Sequence, residues 1–273
     1  MYSQKNSPLM ISLGLTVLAM VVICSGYYLS PTGSSLETLF FALGGKMPDG
    51  LIQGATYFCF FVCVFGIESL SKQIRKEEYA YTAKLLPETE QYVLYAEDVN
   101  RIKLETIEVE RHLGQGLLTD LIKQAATKFR SSHSPSEALS MVETVSDMHR
   151  KTAEKDFWLI HICQTLIPAF GFLGTVLGMA AAILNMGKTQ PTAMATPTGP
   201  GAAPATAQAA LSGSDIQVLI DNLGTAFFTT IVAIVLGIIV SVLVKRVETR
   251  MEGLHTGMKR YVVENLVNRI QTT

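Results

Sequence analysis

The chain has 273 residues, of which 48% are hydrophobic and only 16% charged, with 22 basic side chains against 23 acidic ones. That is poor in charge for a soluble protein of this size, and a net charge of -1 without a concentrated basic patch offers nothing to a nucleic-acid backbone. Cys24, Cys59, Cys63 and Cys163 all lie in apolar runs with no His or carboxylate ligand set beside them, so small apolar filler is the expected role rather than a metal or disulfide site.

Four stretches are long and apolar enough to cross a bilayer: 9–29, 51–70, 157–186 and 216–244. Backbone groups in hydrocarbon must be satisfied within their own segment, so each reads as a helix. The fold class is therefore all-α: a polytopic membrane protein with four transmembrane helices, whose long helices extend into a cytoplasmic helical domain. Lys5, thirteen basic residues from Lys72 to Lys155 and six from Lys245 to Arg269 make 20 of the 22, leaving only Lys46 and Lys188 for the other two loops. The positive-inside rule puts both termini and the middle segment in the cytoplasm.

In chain order, 1–8 is a cytoplasmic lead in which Pro8 opens a helix. Residues 9–71 hold the first two spans and an external loop at 31–50, whose turn signals flank a short apolar run, 36–43, too short to span. The first span lacks a signal-peptide cleavage site and is read as retained. The second is rich in aromatics and carries Glu68 near its cytoplasmic end, within reach of Lys72. Residues 72–156 read as a cytoplasmic helical domain, with Pro87 starting a helix, Gly114 and Gly116 marking a break, and Ser134 capping a helix that opens at Pro135. Ala138, Met141, Val145 and Met148 recur along one face of that helix, and no stop separates it from the third span. Residues 187–213 form a flexible external loop rich in Pro, Ala, Thr and Gly. Ser214 caps the helix of the fourth span, 214–244, and 245–273 reads as a cytoplasmic amphipathic helix with Met251, Leu254, Met258, Val262, Leu266 and Ile270 on one side.

Enzyme signatures are missing: Gly44-Gly45-Lys46 is no P-loop, and there is no HExxH, no CxxC pair and no nucleophile elbow. No enzymatic activity is expected. His161 reads either as a proton relay or as a satisfied histidine near the cytoplasmic rim, one turn from Asp156, and the second is favoured. The third span carries the organising pattern. It has no Asp, Glu, Lys or Arg over 157–186, yet contains Gln164, Pro168, Thr175 and the close-packing glycines Gly171, Gly174 and Gly178. Thr225, Thr229 and Thr230 cluster in the fourth span. A membrane threonine usually bonds its own backbone, and a hydroxyl cannot carry a stable charge near neutral pH. If the chain conducts a cation, the exchanging carboxylate comes from another polypeptide.

The run Ile167-Pro168-Ala169-Phe170-Gly171-Phe172-Leu173-Gly174-Thr175-Val176-Leu177-Gly178 resembles the Pro-x-x-Gly-x-x-Gly-Thr-Val-x-Gly signature of the MotA/TolQ/ExbB proton channel subunits. Ala226-Phe227-Phe228-Thr229-Thr230-Ile231-Val232-Ala233 is similar to their second motif, in the following span. The resemblance implies the A-type subunit of an inner-membrane, stator-like molecular motor: a homopentamer around two copies of a single-span MotB/TolR/ExbD-like partner with an essential Asp. It implies that Thr175 and Thr230 line the ion path, with Thr229 and Thr225 as further hydroxyls, and that Gly171, Gly174, Gly178 and Pro168 shape the close approach. The transported ion would be a proton, and no cofactor is implied. Thr225 stands where ExbB- and TolQ-type members carry Glu, and Ala233 replaces the motif's final Gly, so sodium stays open as the ion. Four spans resemble the MotA plan, whereas the third-span motif reads more like TolQ and ExbB. The competing function is a non-conducting membrane scaffold that anchors a cytoplasmic complex through 72–156.

Overall fold

The computed structural model describes residues 7–31, 34–45, 50–82, 85–87, 93–188 and 213–271. It is all-α. The helices are α1 (Ser7–Leu29), α2 (Ser35–Ala42), α3 (Gly50–Thr82), α4 (Ala96–Leu113), α5 (Leu117–Ser132), α6 (Pro135–Lys188) and α7 (Gly213–Asn265), followed by a 3-10 turn at Val267–Arg269. Among the described residues four helices, α1, α3, α6 and α7, are long and apolar enough to cross a membrane. The external loop expected at 187–213 lies almost wholly outside the described residues.

The chain divides into two compact units, with α3, α6 and α7 contributing to both. The first unit draws on Met1–Val64 and Ile162–Ser241. Its α1 leaves Met10, Ile11, Val17, Leu18, Val21 and Val22 more than half exposed, a surface that suits lipid and not water. Ser12 and Thr16 are buried instead, and their hydroxyls donate to the carbonyls of Leu9 and Ser12 at 2.8 and 2.7 Å. The short apolar run forms α2, capped by Ser34 Oγ accepting from Glu37 N. Helix α3 receives the end of α2: Gln53 Nε2 donates to Ala42 O at 3.1 Å and Tyr57 OH to Leu43 O at 3.0 Å. Those two carbonyls would otherwise be orphaned at a helix end.

The second unit draws on Phe65–His161 and Val242–Thr273. Its core joins Leu94 and Val99, the α5 residues Leu118, Leu121, Ile122 and Phe129, Ala138 and Val142 of α6, and Met258, Val262 and Leu266. Leu94 and Ile270 form an isolated parallel bridge, with Leu94 N donating to Arg269 O and Gln271 N to Leu94 O. Tyr261 OH accepts from Leu86 N at 3.1 Å and donates to Leu86 O at 3.2 Å. Helix α5 stops where His133 enters the left-handed region (φ 51°), and α6 opens directly after Ser134. Near the start of the unit, Glu68 pairs with Lys72 at 2.8 Å.

The helix expected to start at Pro87 falls on 88–92, outside the described residues; α4 begins at Ala96, where Asp98 accepts from Tyr95 N at 3.1 Å, and the Pro87 carbonyl takes a bond from Arg269 Nη1. One expectation, the inward position of Met148 on α6, is corrected. On α6, Met148 is 63% exposed, while Ala138, Val142 and Val145 are the buried stripe. At 100° per residue Met148 lies about 80° off Ala138 and His149 only about 20° off it, so the next inward position is a histidine. Helix α7 begins at Gly213, one residue before the expected cap at Ser214, whose side chain lies outside the described part.

Burial of a histidine beside carboxylates needs partners. His149 Nε2 lies 2.8 Å from Asp120 Oδ2, and Lys123 bridges Glu110 at 3.0 Å and Asp120 at 3.8 Å. Glu77 reaches from α3 to the start of α5, where its two oxygens accept from Leu117 N at 3.2 and 3.0 Å. Burial nevertheless holds the Glu77 carboxyl above the ordinary carboxylate range. Burial, with a smaller contribution from nearby His149, holds His255 below the ordinary histidine value.

Candidate functional site

In the first unit, α6 and α7 run along each other antiparallel, and the glycines of α6 set their separation. A Cβ built on Gly171 would stand 2.5 Å from the Ala233 Cβ, one on Gly174 2.5 Å from Thr229 Oγ1, and one on Gly178 2.6 Å from the Ala226 Cβ. Carbon atoms in ordinary contact are 3.5–4.0 Å apart, so no side chain fits at these three positions without the helices parting. Bare glycine backbone at the seam permits the approach, as small residues do between membrane helices.

The close approach brings α7 hydroxyls to α6 backbone. Thr230 Oγ1 donates to Gly171 O at 2.9 Å, a bond between residues 59 apart in sequence. Thr229 is buried against Gly174 and donates to Ala226 O of its own helix at 2.8 Å. Thr175 is only half buried, and its hydroxyl donates to Phe172 O at 2.6 Å. Pro168 sits inside α6. The side chain of Thr225 lies outside the described part, as does that of Asp221.

Two features of this seam go beyond the site residues assigned from sequence, where Gln164 stood only among the polar residues of the third span and Ser241 and Asn222 were not singled out. Gln164 Nε2 donates to Ser241 Oγ at 3.0 Å, and Ser241 Oγ donates in turn to Gly237 O at 2.8 Å. Asn222 Nδ2 is buried without a hydrogen-bond partner among the described residues. The available signal was helical spacing: Gln164 and Ser241 each stand eleven residues from a motif threonine, which returns a side chain to within about 20° of the same face. In the second unit, His161 Nε2 lies 3.1 Å from Glu248 Oε1, which makes it a partnered histidine.

Chemically, the seam offers neutral hydroxyls and amides and no carboxylate from α6, whose 157–186 stretch has no charged residue. Such groups order water and ligate a cation but do not hold its charge. Among the described residues no group of three or more His, Cys, Asp or Glu is arranged to bind a metal, and Cys59, Cys63 and Cys163 are buried free thiols. A family model described as the MotA/TolQ/ExbB proton channel family matches residues 114–260, more than half of the chain. No curated protein and no solved structure matches it.

Proposed function

This chain belongs to the MotA/TolQ/ExbB proton channel family, and on that premise we propose that it is the channel-forming subunit of an ion-driven motor in the bacterial inner membrane. Both termini face the cytoplasm. Five copies surround two copies of a single-span partner, and proton flow past that partner's Asp drives rotation or force on a load. Sodium is the other ion that these hydroxyls could serve.

The observation that supports this reading is the Thr230–Gly171 hydrogen bond, flanked by glycines that admit no side chain. It fixes a hydroxyl on α7 against an α6 face that is free of charge. Thr175 carries a second, less buried hydroxyl on α6. A neutral wall of this kind suits a carboxylate supplied from outside the chain, because fixed opposite charge would hold the loaded or the unloaded state too firmly. Thr229, tucked against Gly174, serves chiefly as packing.

Replacing Thr230 by Val keeps volume and removes the hydroxyl. Ion flux and work output should be lost while the oligomer still assembles with its partner. Full work output from Thr230→Val would refute the path assignment.

A further inference from the structure

We propose that Gln164 and Ser241 form a second, uncharged polar station on the same ion path, about three helical turns to the cytoplasmic side of Thr175 and Thr230. The inference rests on the channel reading above and extends it to the exit half of the route, where the occupant is a water-borne monovalent cation.

Three observations converge on the pair. The first is register. Gln164 precedes Thr175 by eleven residues and Ser241 follows Thr230 by eleven, so in antiparallel helices both step the same way. Each stays within about 20° of its threonine's face and moves about 16 Å along the axis. The second is hydrogen bonding. Gln164 Nε2 donates to Ser241 Oγ at 3.0 Å, and Ser241 spends its proton on Gly237 O at 2.8 Å. Gln164 Oε1 meets no donor among the described residues, although Gln164 is only half buried and Ser241 is exposed. A bare amide oxygen facing lipid would be costly; intramembrane polar groups turn to protein or to water.

The third is backbone chemistry. Pro168 lies inside α6, four residues after Gln164, and has no N–H to give to the Gln164 carbonyl. The same residue therefore presents two acceptors, one from side chain and one from main chain. Freed carbonyls at membrane depth are tolerated where they are covered by protein or line a wet cavity. Neither Gln164 nor Ser241 titrates, so the station hydrates the departing ion and does not store its charge.

The test is cysteine substitution in the full chain, with Cys24, Cys59, Cys63 and Cys163 replaced by Ala, in inverted membrane vesicles that also contain the partner subunit. Q164C and S241C should react with a membrane-impermeant thiosulfonate at least tenfold faster than I162C and I239C, which point about 160° away on the same helices. Equal rates at all four would overturn the proposal. T175C and T230C separate the two readings: reaction there without reaction at Q164C and S241C removes the station and leaves the path. Silence at all four polar positions removes both.

Should the cysteine-free chain fail to fold, Q164L and S241A in the chain with its own cysteines carry the test. Ion flux should fall about tenfold, with recovery in Q164N and S241T. Unchanged flux in Q164L and S241A would refute the station.

Discussion

Gly171→Ala is the perturbation whose size the seam geometry sets most directly. The added Cβ would lie 2.5 Å from the Ala233 methyl and 3.4 Å from Thr230 Cα. Restoring an ordinary 3.5 Å contact requires the helices to part locally by about 1 Å. Overpacking of that kind costs about 1–3 kcal/mol. The same shift would lengthen the Thr230–Gly171 bond from 2.9 Å to nearly 4 Å, beyond hydrogen-bonding range, and forfeit about 0.6 kcal/mol more. A total of about 1.6–3.6 kcal/mol changes the folded-to-unfolded ratio by about 15- to 450-fold. Ala233→Gly removes the opposing methyl and should return most of that loss in the double variant, less about 1 kcal/mol for the helix propensity of glycine. Unfolding free energies of the four proteins, measured by steric trapping in bicelles, give the coupling. A Gly171→Ala chain as stable as the original, or a double variant that merely adds the two losses, would refute the view that Gly171 and Ala233 share one space.

Tyr261→Phe removes a hydroxyl that satisfies both backbone groups of Leu86, and should destabilise the second unit by about 1–3 kcal/mol in a denaturant titration. The half-buried Glu77 and His255 should give opposite pH slopes. With its folded-state value raised, Glu77 favours the fold fully below the unfolded carboxylate value of about 4.3, and that contribution is lost as pH rises to the folded value; Glu77→Gln should flatten this limb. With its folded-state value lowered, His255 supports the fold above about pH 6.5 and loses that support as pH falls toward the folded value; His255→Gln should flatten this second limb. Both slopes are read from thermal unfolding between pH 4 and 8, and an unchanged profile in either variant would remove that group as the source.

The spans were legible because apolar runs of 20 or more residues have few alternatives, and the glycine face of α6 was legible because three-and-four spacing survives in one dimension. What each glycine meets was not, since Ala233, Thr229 and Ala226 become its neighbours only through the antiparallel register of two helices. The Gln164–Ser241 bond was hidden for the same reason, joining residues 77 apart. Met148 misled through apolarity: a methionine three residues after Val145 suggests a core stripe, but the accumulated rotation points it outward and turns His149 in.

The ribosome delivers Leu118, Phe129 and Val142 long before Met258, Val262 and Leu266, yet all six close the same core. The intervening chain includes both seam helices, so about 110 residues must be made after Val145 before Met258 arrives, roughly 6–20 s of synthesis at 5–20 residues per second. Through that interval α4 and α5 hold an apolar face without its cover, and only a chain carrying its fourth span can supply the missing side. Completion of this core therefore reports that the four spans α1, α3, α6 and α7 have been translated. A nascent chain that stalls before that point keeps an open, protease-sensitive bundle.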